Sequence, residues 1–529
     1  MQRRSRACCC AWPGSTRWPR VLAAAGSGMT SRTLRSRSPG GRCRSKPSSP
    51  NASPRRMDEA PMPGAPHDSA TPSAMRRRPW VVATTMVGTV STILAATIVN
   101  VAFPALIREF NIGHDSLQWV ATGFLAATTT SMLATAWLVD TFGQRRTFVA
   151  TMVLFLAASL LGAASWNTES LIAARVLQGA TAGVMQPLSM IALFEVFPLE
   201  ERGRAMGLFG FGVVLAPAVG PAAGGLLMEA FGWRAIFLLS VPFCVAALPL
   251  GWRWLSDVRS TGPRQRFDWT GAALLSLALV AVLNFPVVGH RAGWLSTAAL
   301  TDAVLALGLA TGFVAWEFRV AAPLFALRLF ASRGFRAACL VAFAYGLGLF
   351  GTTYLVPVFV QDVAGYTPAR AGNLLVVPGL ALAVAIALAG RLTDRAPPRF
   401  VVGGGLACFA VSSLLLAFAT GTTTFWLLAL WLTIGRAGLG LIIPALNVGA
   451  VETLPAEYLG HASAAVNFAR QLGGAVGVNL LAVLLEWGLG FHDESGGATL
   501  AFRDCFLVVT IAFAAAVVPA LSIRKHARV

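Results

Sequence analysis

The sequence predicts an all-α membrane protein in which fourteen transmembrane helices form two six-helix bundles plus two inserted helices. The first observation is composition: 56% of the 529 residues are hydrophobic and only 12% are charged, whereas a soluble domain carries about 25% charged residues. The second is a series of apolar runs of roughly 20 residues, the length that crosses a bilayer as a helix. The third is an internal repeat that relates the first six runs to the last six.

The predicted spans follow one another with short connections. They lie near 80–106, 117–139, 147–165, 170–192, 204–228, 233–254, 270–289, 297–318, 336–359, 370–389, 400–420, 424–447, 463–486 and 501–522. An even number of spans puts both termini on one side of the membrane, and the arginine-rich connections fall on that same side. Because cytoplasmic loops are enriched in positive residues, we predict a multi-pass protein of the cell (cytoplasmic) membrane with both termini in the cytoplasm.

Two repeated features define the bundles. The segments 198–205 and 455–462 both read P-x-E-x-x-G-x-A and are separated by 257 residues, while Arg175 and Arg436 are separated by 261. Because both features are displaced by eight spans, spans one to six and nine to fourteen are predicted to be equivalent bundles. The predicted divisions are a tail at 1–78, a first bundle at 79–259, an insert at 260–330 and a second bundle at 331–529.

The tail at 1–78 holds fifteen arginines and one lysine against three acidic residues, so it accounts for most of the formal charge of +19. Its Arg, Ser, Pro and Gly content lacks hydrophobic periodicity, which is typical of disorder. Three interpretations stay open: a cytoplasmic arm attracted to anionic lipid, a nucleic-acid-binding arm, or residues upstream of the true start codon. We favour the third, since Met57, Met62 and Met75 all precede the first span, and expect no nucleic-acid partner.

Metal, cofactor and nucleotide sites are not predicted. The eight cysteines and six histidines are scattered without the spacing of metal ligands or of a disulfide framework. The phosphate-binding pattern G-x-x-x-x-G-K-[ST] is absent from the sequence. An ATP-driven process is therefore not expected, and no catalytic constellation points to an enzyme.

A stripe of small residues marks the fifth span. It consists of Gly212, Ala216, Gly220 and Gly224, with Gly225 beside it and Pro217 and Pro221 between its members. Residues four apart share one face of a helix, and small ones let a second backbone approach closely. The prolines bend such a helix. We expect a bent helix that is packed tightly in a bundle.

A charged loop follows the second span. It places Asp140, the turn residue Gly143, and Arg145 and Arg146 close together. The carboxylate can accept hydrogen bonds from either guanidinium group, and breaking these contacts would unlatch a cytoplasmic gate. A second copy after span ten contributes Gly390, Asp394 and Arg395.

Polar residues inside the spans mark the predicted cavity. Arg175 lies about one turn into span four, and because a charge in the bilayer centre costs at least about 2.5 kcal/mol, it should face protein or water. A purely structural Arg175, satisfied by backbone carbonyls, stays open as an alternative. The candidate cavity residues are Asn100, Arg175, Gln178, Gln186, Tyr345, Tyr354, Arg436, Asn447, Asn467 and Arg470.

These motifs resemble those of the major facilitator superfamily over residues 80 to about 522. The 212–225 stripe resembles the G-x-x-x-G-P-x-x-G-G signature of its antiporters, and the Asp140 loop resembles G-x-L-a-D-r-x-G-r-[KR], with Ala136, Thr141 and Gln144 as departures. The 171–179 segment resembles l-x-x-x-R-v-x-q-G, which implies a role in proton coupling for Arg175 and Gln178, with Asp140 as a further candidate.

The first span resembles l-D-x-T-i-v-N-v-A-l-P of the fourteen-helix drug:proton antiporters, but Ala95 stands where that pattern has aspartate. The resemblance implies a monomeric, proton-coupled efflux transporter that exports small amphipathic compounds of the drug or antibiotic type. Its partners would be a small-molecule substrate, protons and the lipid bilayer. The missing carboxylate favours neutral or anionic cargo. Two alternatives stay open: a proton-coupled uptake permease and a non-transporting membrane sensor with the same fold.

Overall fold

A computed structural model describes residues 72–197, 219–257, 267–320, 323–324, 327–451, 459–491 and 497–523. Every regular element in these ranges is helical, and all of them belong to one compact unit, Pro66–Val529. The first bundle consists of α1 (Pro72–Ile98, a 3-10 turn at Val99–Ala102, then Phe103–Phe110), α2 (His114–Ser131, a 3-10 turn at Met132–Ala134, then Thr135–Phe142), α3 (Gln144–Ala163), α4 (Thr168–Val196), α5 (Val219–Phe231) and α6 (Ala235–Leu238 and Ser240–Trp254).

Two inserted helices and a second bundle follow. The inserted helices are α7 (Trp269–Ala292) and α8 (Thr297–Glu317), and a 3-10 turn at Leu327–Ala331 precedes the second bundle. The second bundle consists of α9 (Arg333–Asp362), α10 (Pro368–Leu374 and Val376–Arg395), α11 (Pro398–Ala417), α12 (Phe425–Val451), α13 (Leu459–Phe491) and α14 (Gly497–Ala520). We call the end at which α1 begins the proximal end, and the end with the α1–α2 connection the distal end.

The predicted spans coincide with these helices. Thirteen of the described helices are long and apolar enough to cross a membrane, and α5 is a shorter apolar helix. The first part of the fifth predicted span, including Gly212 and Pro217, lies outside the described residues, as do residues 1–71 of the predicted tail. The structure differs from the expectation at 72–78, because these residues are helical and belong to α1. Arg77 and Arg78 of this segment donate to the carbonyls of Trp254 and Val196.

The two bundles pack their helices in the same pairs. In the first bundle α4 lies against α1, α2 and α3, and α6 lies against α1 and α3. In the second, α12 lies against α9, α10 and α11, and α14 lies against α9 and α11. Each pair is displaced by eight helices along the chain, as the internal repeat predicts. The fold is therefore two equivalent six-helix bundles, with α7 and α8 inserted between them.

The inserted helices lie beside the seam between the bundles. Helix α7 packs on α2 and on α13, which belong to different bundles. Asp268 caps α7 by accepting from the N–H of Gly271, and it also accepts from the indole N–H of Trp316 on α8. Helix α8 leaves apolar side chains such as Val304 and Leu307 about 70% exposed, which suits contact with lipid rather than water.

Helix α1 changes geometry where Pro104 enters it. Proline has no N–H for the carbonyls of the preceding turn, and the helix tightens to 3-10 geometry over Val99–Ala102. The carbonyl of Val101 instead accepts a hydrogen bond from Nε2 of Gln361 on α9, at 3.0 Å. One irregular turn of α1 therefore supplies a bond to the other bundle.

Candidate functional site

Arg175 of α4 is buried inside the first bundle, with 1% of its surface exposed. Its Nε donates to the carbonyl of Val120 on α2 at 2.9 Å, and Nη1 donates to the carbonyl of Ala95 on α1 at 3.0 Å. The guanidinium carbon lies 4.2 Å from the ring centre of Phe124, a cation–π geometry. Arg175 thus ties together three helices of one bundle.

The arginine continues into a polar chain through Gln178. Nη1 of Arg175 donates to Oε1 of Gln178 at 2.9 Å, and Nε2 of Gln178 donates to Ser159 on α3. Ser240 on α6 donates to the same Ser159 hydroxyl at 3.0 Å. This hydrogen-bond network crosses the bundle interior from α4 to α6. In such a network, a change in one hydrogen bond alters the strength of the others.

Close packing of α2 on α4 brings Arg175 to its acceptors. A Cβ at Gly179, one turn after Arg175, would collide with the backbone carbonyl of Phe124, and one at Gly183 would collide with that of Thr128. The hydroxyl of Thr128 donates to the carbonyl of Gly179 at 3.0 Å. The helices approach at backbone distance only because these two positions are glycine.

Arg175 keeps one unsatisfied nitrogen. Its Nη2 is buried and has no hydrogen-bond partner in the described part of the chain, and no described acidic residue pairs with it. A gap too narrow for water is lined by Ala95, Ile98, Val99, Arg175, Gln178, Ile236 and Phe237. The guanidinium of Arg175 is therefore solvated by carbonyl dipoles and an aromatic face, but no described carboxylate neutralises its charge.

A second polar group lies in the other bundle, at the site of the repeat. Nη2 of Arg436 on α12 donates to the hydroxyl of Thr353 on α9 at 2.9 Å, and Arg470 on α13 lies 3.3 Å from Oδ1 of Asn467. Tyr345 is buried on the same helix α9, which approaches α13 so closely that a Cβ at Gly346 would collide with the backbone carbonyl of Arg470. Neither arginine pairs with a described acid, so this group carries a net positive charge.

The remaining predicted cavity residues occupy different environments. Tyr354 is fully buried and its ring lies 5.2 Å from that of Phe103 on α1. Asn100 is buried in the 3-10 turn of α1, Gln186 is half-buried on α4, and Asn447 is exposed near the proximal end of α12. The structure thus groups Arg175 with Gln178 and Tyr345 with Arg436, Asn467 and Arg470, whereas Tyr354 sits between the bundles.

The described part of the small-residue stripe packs as its spacing predicts. A Cβ at Gly220 would lie 3.0 Å from the Thr97 hydroxyl of α1. At Gly224 a Cβ would collide with Ile98 of α1, and at Gly225 with the backbone carbonyl of Pro368 on α10. Gly372 of α10 makes the reciprocal close approach to the carbonyl of Pro221. One face of α5 therefore packs on α1 of its own bundle, and an adjacent face packs on α10 of the other bundle.

The distal ends of the bundles are joined by further contacts. The carboxylate of Glu229 at the end of α5 accepts from the N–H of Ala369 on α10 at 2.9 Å. Together with the bond from Gln361 to Val101 and the packing of Phe103 on Tyr354, it closes this end. Sequence reasoning missed Glu229 and Gln361, because polar residues near span ends are common and their partners lie in another bundle.

The proximal loop is arranged differently from the expectation. Gly143 has a φ of 85°, which favours glycine. Arg145 donates from Nε to the carbonyl of Leu255 at 3.0 Å, and Nε of Arg146 lies 3.8 Å from Asp257. Both arginines thus contact the segment after α6 and not Asp140, which is exposed and has no partner among the described residues. In the second copy Gly390 and Arg395 are exposed, and the Asp394 side chain lies outside the described part.

Comparisons with known proteins agree with this architecture. Residues 85–478 match the family model described as Major Facilitator Superfamily. The puromycin resistance protein of Streptomyces alboniger is 33% identical over 451 residues, covering 83% of this chain and 89% of that protein. A multidrug resistance protein B homolog of Mycobacterium tuberculosis is 32% identical over 405 residues, covering 75% and 74%. The tetracenomycin C resistance and export protein of Streptomyces glaucescens is 29% identical over 432 residues, covering 81% and 80%.

Proposed function

Because the chain belongs to the Major Facilitator Superfamily and is an efflux transporter of that family, not an enzyme, we propose that it exports small amphipathic compounds in exchange for protons. The protein is multi-pass and resides in the cell membrane. In the proposed orientation the proximal end, with both termini, faces the cytoplasm. This follows from the arginines of the proximal connections.

The observation that carries the proposal is the symmetric pairing of two six-helix bundles across a seam. Equivalent bundles that meet along a seam, here with α2 packed on α13, can rock about a central site and expose it alternately to the two sides. The contacts of Gly225, Glu229 and Gln361 join the distal ends. We assign the structure to the inward-facing half of such a cycle, in which the distal gate is closed.

Proton coupling is proposed to act through the chain that begins at Arg175. This residue shares a connected hydrogen-bond path with Gln178, Ser159 and Ser240 across three helices of the first bundle. A change in protonation or cargo that alters one bond would alter the packing of the others. Its buried Nη2 has no hydrogen-bond partner among the described residues, so its N–H groups can donate to an additional acceptor during transport.

The cargo is proposed to be neutral or anionic. Arg175, Arg436 and Arg470 lie within the spans without a described acidic partner, and Ala95 supplies no carboxylate to the first bundle. An uncompensated positive field in a low-dielectric interior disfavours a permanent cation. The named cargo of the relatives belongs to those proteins, and it suggests only the antibiotic-like size and amphipathic character of compounds to test.

The test uses inverted membrane vesicles with an internal pH-sensitive dye. After the lumen has been acidified, adding an exported compound should draw protons out and raise the lumenal pH, and an uncoupler should abolish the signal. A panel of neutral, anionic and cationic compounds identifies the cargo class. Flux in the opposite direction would instead support an uptake permease. Binding without flux, in a variant that begins at Met57 as well as in the full chain, would support a sensor and contradict the proposal.

A further inference from the structure

A basic pocket lies at the proximal end of the first bundle, between α1, the start of α3 and the end of α6. It has a volume of about 690 Å³. Its lining residues are Arg76, Arg77, Trp80, Arg145, Arg253, Trp254, Ser256 and Asp257. We call this set the proximal basic pocket. It is separate from the polar groups inside the bundles, and the transport proposal does not use it.

Three of the four guanidinium groups of the pocket are held by backbone or ring contacts rather than by acids. Arg77 donates to the carbonyl of Trp254 at 2.8 Å, and Arg145 donates to that of Leu255 at 3.0 Å. Arg253 lies over the ring of Trp254 at 4.9 Å. Each group therefore keeps further N–H donors available, because a guanidinium has five.

The acidic residues near the pocket are already engaged. Asp257 is the only acid among the described residues that line it, and it lies 3.8 Å from Arg146, which is outside the lining. Glu195 accepts from the hydroxyl of Ser256 at 2.7 Å. None of the four lining arginines forms an ion pair with a described acid, so the pocket presents a concentrated positive charge.

The two tryptophans place the pocket at the membrane surface. Trp80 and Trp254 stack with ring centres 5.3 Å apart and planes within 5°, and 47% of Trp80 is exposed. Tryptophan is enriched at the level of lipid headgroups, where one end of the ring is apolar and the other is wet. The stacked rings form an apolar wall beside four cationic groups.

We propose that the proximal basic pocket binds the phosphodiester headgroup of an anionic phospholipid, with the acyl chains passing along the stacked tryptophans. A guanidinium group can donate two hydrogen bonds to two oxygens of one phosphate. Basic pockets between helices on the cytoplasmic side bind anionic headgroups. A free phosphate ester offers the same oxygens but no chains to contact the tryptophan wall. The lipid would thereby join α1, α3 and α6 at the end where the gate is proposed to open.

The test is native mass spectrometry of the full-length protein, titrated with phosphatidylglycerol or with phosphatidylcholine. Phosphatidylglycerol should bind more tightly than phosphatidylcholine. The double variant Arg76→Gln/Arg253→Gln should weaken phosphatidylglycerol binding about tenfold or more, because it removes two charge-assisted donors. Phosphatidylcholine binding should stay unchanged. The variant Arg76→Lys/Arg253→Lys keeps the positive charges but loses the bidentate guanidinium geometry. Its affinity for phosphatidylglycerol should lie between those of the parent and of the double glutamine variant.

A matched control is Arg234→Gln at the distal end. Arg234 also lies over a tryptophan, at 4.3 Å from the Trp233 ring, but it pairs with Glu109 at 3.5 Å, so this variant should bind phosphatidylglycerol like the parent. Equal affinity of the parent for the two lipids, or unchanged binding by the double glutamine variant, would overturn the proposal. Competition by glycerol 3-phosphate as strong as that by the lipid would assign the pocket to a soluble phosphate ester and overturn the lipid assignment.

Discussion

The Nη1 atom of Arg175 donates to the backbone carbonyl of Ala95, 3.0 Å away, and so joins α4 to α1 at the residue that stands in place of the aspartate of the antiporter motif that the first span resembles. A buried guanidinium without a carboxylate partner must find its acceptors among carbonyls and amides. Here the carbonyls of Ala95 and Val120 and the amide of Gln178 provide them. The bundle keeps its arginine but not the acid, which leaves its charge uncompensated and is the basis for the predicted cargo.

We expect Gly225→Ala to abolish most transport while the protein still inserts. The added methyl would meet the backbone carbonyl of Pro368 across the seam, and a backbone cannot rotate aside as a side chain can. Overpacking costs about 1–3 kcal/mol, which shifts a two-state equilibrium about 5- to 150-fold. Gly220→Ala should be milder, because its Cβ meets the Thr97 hydroxyl at 3.0 Å, whereas Gly220→Leu should lose transport.

Gly404→Ala on α11 is the control for this series, since a Cβ there has no neighbour within 4 Å. Vesicle flux, normalised to the amount of inserted protein, is the measurement. Normal flux from Gly225→Ala would show that the close approach of α5 to α10 is not required for transport.

Much of the fold could be predicted from the sequence, because membrane spans must be long and apolar and because the internal repeat has matching residues such as Arg175 and Arg436. The partners of individual charged side chains could not be predicted. Arg145 and Arg146 lie near Asp140 in sequence, but the chain brings the end of α6 closer, where the Leu255 carbonyl accepts from Arg145 and the Asp257 carboxylate forms an ion pair with Arg146. Proximity along a loop does not identify the partner of a charged side chain when another helix ends at the same depth in the membrane.

Backbone acceptors are equally invisible to a sequence. Two backbone carbonyls accept hydrogen bonds from Arg175, yet no residue type marks Ala95 or Val120 as acceptors. By contrast, the glycine spacing of α5 correctly predicted close helix contacts, because the sequence shows directly which positions lack a side chain. What the spacing did not reveal is that Gly225 faces the other bundle while Gly220 and Gly224 face α1.

Asp140→Asn is expected to shift the protein toward the state with an open proximal end. In the structure, whose distal end is closed, Asp140 is exposed and has no described partner, as a released latch would be. Its charge would then matter only in the opposite, outward-facing state. With Asn447→Cys as a reporter, in a background without native cysteines, labelling from the proximal side should become faster when the latch is removed.

Gln361→Leu provides the opposing control. It keeps the side-chain volume roughly constant but removes the bond to the Val101 carbonyl that helps to close the distal end, so labelling at position 447 should become slower. Identical labelling of both variants and the parent would contradict the two-gate interpretation. If the labelling rate changed in the same direction in both variants, the cause would be a general loss of packing instead.

Asn479→Leu should loosen the inserted helices from the second bundle. Asn479 is buried on α13 and donates to the carbonyl of Leu283 on α7 at 2.6 Å. Interhelical hydrogen bonds of this kind contribute about 0.6–1.7 kcal/mol in membrane proteins, so the melting temperature of the purified protein should fall measurably. Asn467→Leu, on the same helix, should leave the contact of α7 intact. Equal melting temperatures for Asn479→Leu and the parent would show that α7 is held by apolar packing alone.

The last prediction concerns the charge of the cargo. If the absent carboxylate excludes permanent cations, the parent protein should export ethidium more weakly than its best neutral or anionic compound. Ala95→Asp places an acid beside Arg175, in the narrow gap that both residues line. Because an uncompensated charge within the membrane costs about 2.5 kcal/mol or more, the variant should gain at least about tenfold in ethidium export. Ala95→Asn adds nearly the same volume without the charge and should gain nothing. Ethidium exported by the parent as strongly as any neutral compound, or an equal gain in the asparagine variant, would show that the carboxylate is not the determinant.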